Sequence, residues 1–305
     1  MKARYEKAQA FLAMLAHDSP ELPFEPTLLP ELFASTADNS MKNTAHIASL
    51  VERSPGIASR ILRMANSAYY GMQTQVSSLT HAVRLLGLNE VRNIILQIGV
   101  SAAIAKLPLP EKFPFEELWE HQIVTANMAK AMGNAMLQLS KSGTGGISPD
   151  ELYVAGLLHD MGKTMVAAHC PKDWEAINDL ACCERISFAE AEEDYWGIDH
   201  AAAGARLLTF WGIPQTLTEL VNWHHAPQHS SLEFRAPAQI LAAANLLAHD
   251  ATMAIADAGE NALVVPENVA AILPDGLNNE TLAQTLASCC DMDRVRSMAK
   301  TTLEQ

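Results

Sequence analysis

Gly156-Leu157-Leu158-His159-Asp160-Met161-Gly162-Lys163 is the stretch on which the reading of this chain turns. An adjacent imidazole and carboxylate offer nitrogen and oxygen donors to one divalent cation, a mix suited to iron, manganese or zinc and open to magnesium. A lysine one turn later stands where it can hold a phosphate or a carboxylate beside such an ion. A histidine–aspartate pair alone is weak evidence, because such dipeptides arise by chance, so the surroundings decide. Through most of the chain apolar residues recur at three- and four-residue spacing, and alternating β-branched runs are nearly absent. That periodicity predicts an all-α fold.

Further along, Asp199 reads as an N-cap, His200 opens a helix, and Gly212 closes it after Trp211. Pro214 starts the next helix, with Leu217, Leu220 and Val221 on its inward face. His224 continues that stripe at i+3, i+4 and i+7 spacing, and His225 lies next to it. Two imidazoles at the inner end of an apolar stripe need partners, which a metal, carboxylates or backbone carbonyls could all supply. Upstream, Glu117 and His121 are four residues apart and share one helix face. Any one of these histidines alone reads as an ordinary core or surface residue. Together, and in this order, they make candidate ligands.

Towards the N-terminus, Ser54-Pro55 gives an N-cap and first-turn proline, with Ile57, Ile61, Leu62 and Ala65 behind it and Gly71 closing the unit. Ser77 or Ser78 opens a helix that runs to Gly87, and Asn89 caps another carrying Val91, Ile94, Ile95 and Ile98. Breaks fall at Leu107–Pro114, at Ser140–Pro149, more weakly between Pro227 and Pro237, and in a tail from about residue 255 with a final helix from Asn279. These predict an N-terminal lobe over residues 1–112, a helical domain over 113–252 and an extension over 253–305. Trp119, Trp211 and Trp223 are expected to anchor packing near the histidines. Tyr69 and Tyr70 are candidates for a partner surface.

A formal net charge of −14 with dispersed basic residues argues against a nucleic-acid partner. A helix-turn-helix over Ser77–Ile98 is the one competing reading, but Arg84 and Arg92 are its only basic residues. No apolar run reaches the ~20 residues of a membrane span, and no signal-peptide block follows the N-terminus. Five cysteines without CxxC spacing fit buried thiols in a reducing compartment, so a cytoplasmic location is expected.

Several segments together resemble one family. Ser54–Gly71 (SPGIASRILRMANSAYYG), Ser78–Gly87 (SLTHAVRLLG), Leu118–His121 (LWEH), Gly156–Lys163, Asp199–Pro214 and His224-His225 are similar, in order, to the motifs of HDOD proteins. The resemblance covers roughly residues 20–250. It implies an HD-domain-like helical bundle with an additional N-terminal helical lobe, and a role in bacterial signal transduction through a signalling protein partner or a small nucleotide. Through the related HD and HD-GYP phosphohydrolases it also implies that His121, His159, Asp160, His200, His224 and His225 fall on metal-ligand positions. Glu117 falls on an extra carboxylate ligand and Lys163 on their lysine. Asn245 stands where the closing aspartate is expected, and His224-His225-Ala226-Pro227 lacks the HD-GYP continuation. The expected function is therefore regulatory, with a degenerate metal site. The alternative is a metal-dependent phosphohydrolase in which Asp160 ligates the ion and orients its water while Lys163 steadies the phosphate.

Overall fold

A computed structural model describes residues 2–15, 21–22, 28–37, 44–66, 75–139, 144, 146–254, 266–277 and 282. Among them every regular element is helical and none is a strand. The chain divides into two compact units: Pro20–Lys106 with Trp211–Pro214, and Met1–Ser19 with Leu107–Phe210 and Gln215–Gln305. The first helix, α1 (Lys2–Leu15), thus groups with the histidine-bearing unit and not with the lobe of residues 1–112 expected from the sequence. The reason lies in two long-range contacts: Phe11 packs its ring against Trp196 at 4.9 Å, and the Lys7 ammonium binds Asp173 at 2.6 Å.

The smaller unit contains α2 (Leu28–Ala37), α3 (Thr44–Glu52), α4 (Pro55–Ala65), α5 (Leu79–Leu86) and α6 (Leu88–Ile104). Ile57, Ile61 and Ala65 are the buried stripe of α4, as their spacing predicts, whereas Leu62 is half-buried. Pro55 takes the first turn, but the Ser54 side chain makes no capping bond. Ser78 does cap, its hydroxyl accepting from the His81 N–H. Asn89 is not the cap expected for α6. Gly87, at φ +84° and ψ 156°, ends α5 and starts α6 in one residue, which places Asn89 inside the first turn. That region of backbone space is essentially glycine's alone. Val91 through Ser101 of α6 are all buried, so the helix has no face there to offer a DNA groove.

The larger unit contains α7 (Phe115–Leu139), α8 (Pro149–Leu158), α9 (Met161–His169), α10 (Pro171–Glu184), α11 (Phe188–Trp196), α12 (His200–Phe210), α13 (Gln215–Asn222), α14 (Arg235–Ala254) and α15 (Glu267–Ala270). Helix α7 packs along α8 and α14, and α12 along α9 and α13. Glycine makes two of these approaches close: a Cβ on Gly156 would lie 2.6 Å from Ala126 Cα, and one on Gly162 would overlap the His200 carbonyl. Ser148 with Glu151 and Ser187 with Glu190 form capping boxes that start α8 and α11. Asp199 caps α12 as expected, its carboxylate accepting from the N–H groups of Ala201 and Ala202.

The stretch from Pro227 to Pro237 is not a boundary; it forms a 3-10 turn (Pro227–His229) and the first turn of α14, both within this unit. Trp119 and Trp211 are buried anchors as expected, and Trp223 is half-buried against His229. The expectation of buried thiols fails at Cys182 and Cys183, which are exposed in the last turn of α10. Gly71, Tyr69, Tyr70, Asn279, Cys289 and Cys290 lie outside the described residues. No described helix is long and apolar enough to cross a membrane.

Candidate metal centre

The turn between α8 and α9 carries His159 and Asp160, both wholly buried. Around it converge His121 from α7, His200 at the head of α12, His224 and His225 just after α13, and Asn245 from α14. The ligand atoms of Asp160, His200, His224 and His225 all lie within 4.8 Å of one another, and so do those of His121, His159 and Asp160. Asp160 belongs to both sets. Its Oδ1 lies 2.9 Å from His200 Nε2 and 3.7 Å from His224 Nε2. Its Oδ2 faces His159 Nε2 at 3.4 Å and His121 Nε2 at 3.8 Å, and accepts from Lys163 Nζ at 2.7 Å.

The imidazole tautomers follow from what the outer nitrogens touch. His159 donates from Nδ1 to the Gly156 carbonyl at 2.7 Å, and His224 from Nδ1 to the Val221 carbonyl at 2.6 Å. A carbonyl can only accept, so in the neutral form of each ring the lone pair sits on Nε2. Both Nε2 atoms are buried without a hydrogen-bond partner. His200 donates from Nδ1 to Glu192, whose carboxylate also accepts the His200 backbone N–H at 2.7 Å. His225 Nε2 lies 2.9 Å from His200 Nε2, and the His225 residue is the exposed member of its set. His121 donates from Nε2 to Asn245 Oδ1 at 2.9 Å.

Charge is concentrated here. Burial pulls the His121 imidazole down to about 3, because the opposing attraction of Asp160 does not compensate. Burial likewise holds His159 well below the ordinary range. His200 goes the other way: burial would lower it, but Glu192 and then Asp160 hold it at about 9. Burial would also raise Asp160, yet His159, Lys163 and His200 keep its carboxyl well below the usual range.

Buried polar atoms left unpaired cost about 1–3 kcal/mol each. Inward lone pairs on His159 and His224, with their outer nitrogens tied to backbone, are what a divalent ion satisfies. The residues present therefore fit such a group, with Asp160, His200, His224, His225, His121 and His159 as the donors that could hold it. Of the residues singled out from the sequence, Lys163 and Asn245 touch the cluster by hydrogen bonds. Glu117 is not brought in: it is exposed in the first turn of α7, outside both ligand sets.

Two residues of the site were not singled out from the sequence. Glu192 orients His200, and its signal was there: with Ala189 and Trp196 it lies on the buried stripe of α11 at three- and four-residue spacing. His249 stacks on His121 at 4.2 Å between ring centroids. It follows Asn245 by four residues on α14, which puts both on one face.

The HDOD domain family model matches residues 22–227. A protein of unassigned function from Treponema pallidum (strain Nichols) is 22% identical over 240 residues, 79% of this chain. This chain spans 44% of that relative's length. Two solved structures share the fold. A signal transduction protein, so named provisionally, from Marinobacter aquaeolei VT8 superposes with a TM-score of 0.73 at 21% identity, over 99% of this chain and 66% of that one. A provisionally named phosphohydrolase from Shewanella amazonensis SB2B gives 0.70 at 22% identity, over 96% and 98%. The ordered motifs, the helical fold and the match over most of its length agree that the chain belongs to the HDOD family.

Proposed function

We propose that the chain is a regulatory module that binds a divalent ion in its histidine cluster and acts by engaging a signalling protein or a small nucleotide. The observation that carries the metal half of this reading is the pair of buried, unpartnered Nε2 atoms on His159 and His224, each fixed in the ligating tautomer. The donor set is rich in imidazole, which favours zinc, iron or manganese over magnesium. Two features support regulation over turnover. A neutral amide, Asn245, stands beside His121 where a carboxylate would complete a ligand set. Lys163, the residue that would hold a phosphate, is instead paired with Asp160. The Marinobacter relative's name points the same way.

A metal-dependent phosphohydrolase is the second reading, favoured by the exposure of His225 at the edge of the cluster and by the Shewanella relative's name. A bound ion would supply Lewis acidity and an acidified water. Asp160 would position the ion, and Lys163 would have to leave Asp160 to meet a phosphoryl oxygen.

Elemental analysis of protein purified without chelator, followed by phosphodiester and phosphomonoester assays with added Mn²⁺ or Fe²⁺, separates the readings. Bound metal without turnover supports the regulatory module. Turnover that disappears in Asp160→Ala would establish the hydrolase. Protein that takes up no metal would overturn both.

A further inference from the structure

The two ligand sets are not equivalent. On the Oδ1 side of Asp160, four donors from α12, the segment after α13 and the α8–α9 turn lie together: Asp160 Oδ1 and the imidazoles of His200, His224 and His225. His224 Nε2 there is buried and unpartnered. On the Oδ2 side, the carboxylate oxygen already binds the Lys163 ammonium at 2.7 Å. His121 Nε2 donates to Asn245 Oδ1 at 2.9 Å, a bond it would have to give up before it could ligate an ion. His159 Nε2 is buried there without a hydrogen bond.

We propose that the cluster takes one divalent ion per chain, held by Asp160 Oδ1, His200, His224 and His225, and that the Lys163 ammonium is the fixed cation of the other half. The inference rests on the reading of the cluster as metal-binding. One carboxylate is shared between the halves, and among the described residues no second one joins the Oδ2 set. Two divalent ions at a single shared carboxylate would face each other with little negative charge to offset them. A tethered monovalent cation, matched to one oxygen, neutralises that side without a metal. A lone nitrogen on His159 does not hold a divalent ion against it. Asn245 fits the same scheme: an amide oxygen satisfies the His121 N–H and brings no charge that would attract an ion.

Titration of chelator-stripped full-length protein with Mn²⁺, read by calorimetry and by electron paramagnetic resonance, tests the assignment without reference to activity. The wild type should bind one Mn²⁺ with the spectrum of an isolated ion. His225→Ala, at an exposed position, should weaken binding on the order of 10–100-fold. His121→Gln should stay within about threefold of the wild type, a small change on the scale of a lost ligand. Lys163→Gln combined with Asn245→Asp should admit a second ion and give a spin-coupled pair; if the double variant does not retain its helical circular dichroism, the wild-type stoichiometry and the His225→Ala and His121→Gln arms decide. A wild type that binds two ions, or a His121→Gln protein that loses binding as His225→Ala does, overturns the inference while leaving a metal site intact. So does a folded double variant that still binds one. A wild type that binds none overturns both this inference and the metal reading.

Discussion

Gly162→Ala should damage the site through backbone alone. Gly162 sits two residues past Asp160, where α9 meets the head of α12. An ideal Cβ there would lie 1.9 Å from the His200 carbonyl oxygen, 2.8 Å from its carbon and 2.9 Å from the Gly204 nitrogen. Ordinary contact begins at 3.4 Å, so the two helices must separate locally by about 1.5 Å. Every obstructing atom is backbone, and no side-chain rotamer can relieve the clash. If α12 takes the full displacement, the 2.9 Å approach of His200 Nε2 to Asp160 Oδ1 opens to about 4.4 Å. Overpacking of this kind costs about 1–3 kcal/mol, and the loosened buried pair puts the expectation at the upper end, about 3 kcal/mol. Metal affinity should fall on the order of 10–100-fold as His200 leaves its position. Urea denaturation followed by circular dichroism measures the first quantity, and Mn²⁺ or Zn²⁺ calorimetry the second. Gly56→Ala is the control: its Cβ meets nothing within 4 Å, and in α4 it should leave stability unchanged or raise it by up to about 1 kcal/mol. A Gly162→Ala protein within about 0.5 kcal/mol of wild type that binds metal normally would refute the account of how α9 and α12 set the cluster.

Glu192→Gln removes the main charge that holds the His200 imidazolium up, so in metal-free protein the His200 titration followed by nuclear magnetic resonance should drop from about 9 to below its ordinary 6.5; an unchanged midpoint would show that Asp160 alone suffices. The metal-free protein should also lose stability in acid: His121 titrates at about 3 folded and near 6.5 unfolded, so between those values the unfolded chain binds the extra proton. The slope is about 1.4 kcal/mol per pH unit for each such imidazole; His159 acts in the same direction, and Asp160 adds a loss as pH falls through its depressed folded value. His200 gives the opposite flank, its contribution complete below 6.5 and lost as pH rises through about 9. Urea midpoints measured across pH in chelator should therefore peak near neutrality, and a flat profile from pH 6.5 to 4 would contradict the burial of His121 and His159. Ser148→Ala and Ser187→Ala should each cost about 1 kcal/mol by thermal or urea unfolding, whereas Ser54→Ala, which removes no capping bond, should cost a few tenths at most.

The helices were readable because their ends are written in local chemistry. Asp199, Gly87 and Gly212 mark boundaries that depend on one or two backbone groups and were read from residue type and position, and of the two candidates Ser77 and Ser78 it is Ser78 that caps. The misplaced cap at Asn89 shows the limit of that logic. Asn89 is a good cap in isolation, but Gly87 reverses the chain so sharply that no residue is left to serve as a linker. Placement of α1 was not readable for a different reason. Phe11 and Lys7 meet Trp196 and Asp173 across more than 160 residues of sequence, and no local pattern announces such a pairing. Gly156 and Gly162 likewise supply clearance for neighbouring helices, which nothing in the motif around them announces.

At the site, sequence order identified donors but could not say how their charges are shared. Asn245 was legible as a missing carboxylate. Only the structure shows that its amide oxygen accepts a hydrogen bond from His121 Nε2, a nitrogen of the same half. Lys163 was legible as a residue that holds a phosphate or a carboxylate. In three dimensions its ammonium rests on the carboxylate oxygen that faces His121 and His159. Asn245 and Lys163 reinforce each other. Without the closing carboxylate, an ion on the Oδ2 side would be undercompensated, and with the ammonium in place it would also be repelled. A single substitution at either position therefore leaves the other obstacle standing. Under the one-ion proposal, that coupling makes the unequal halves of the cluster a single arrangement.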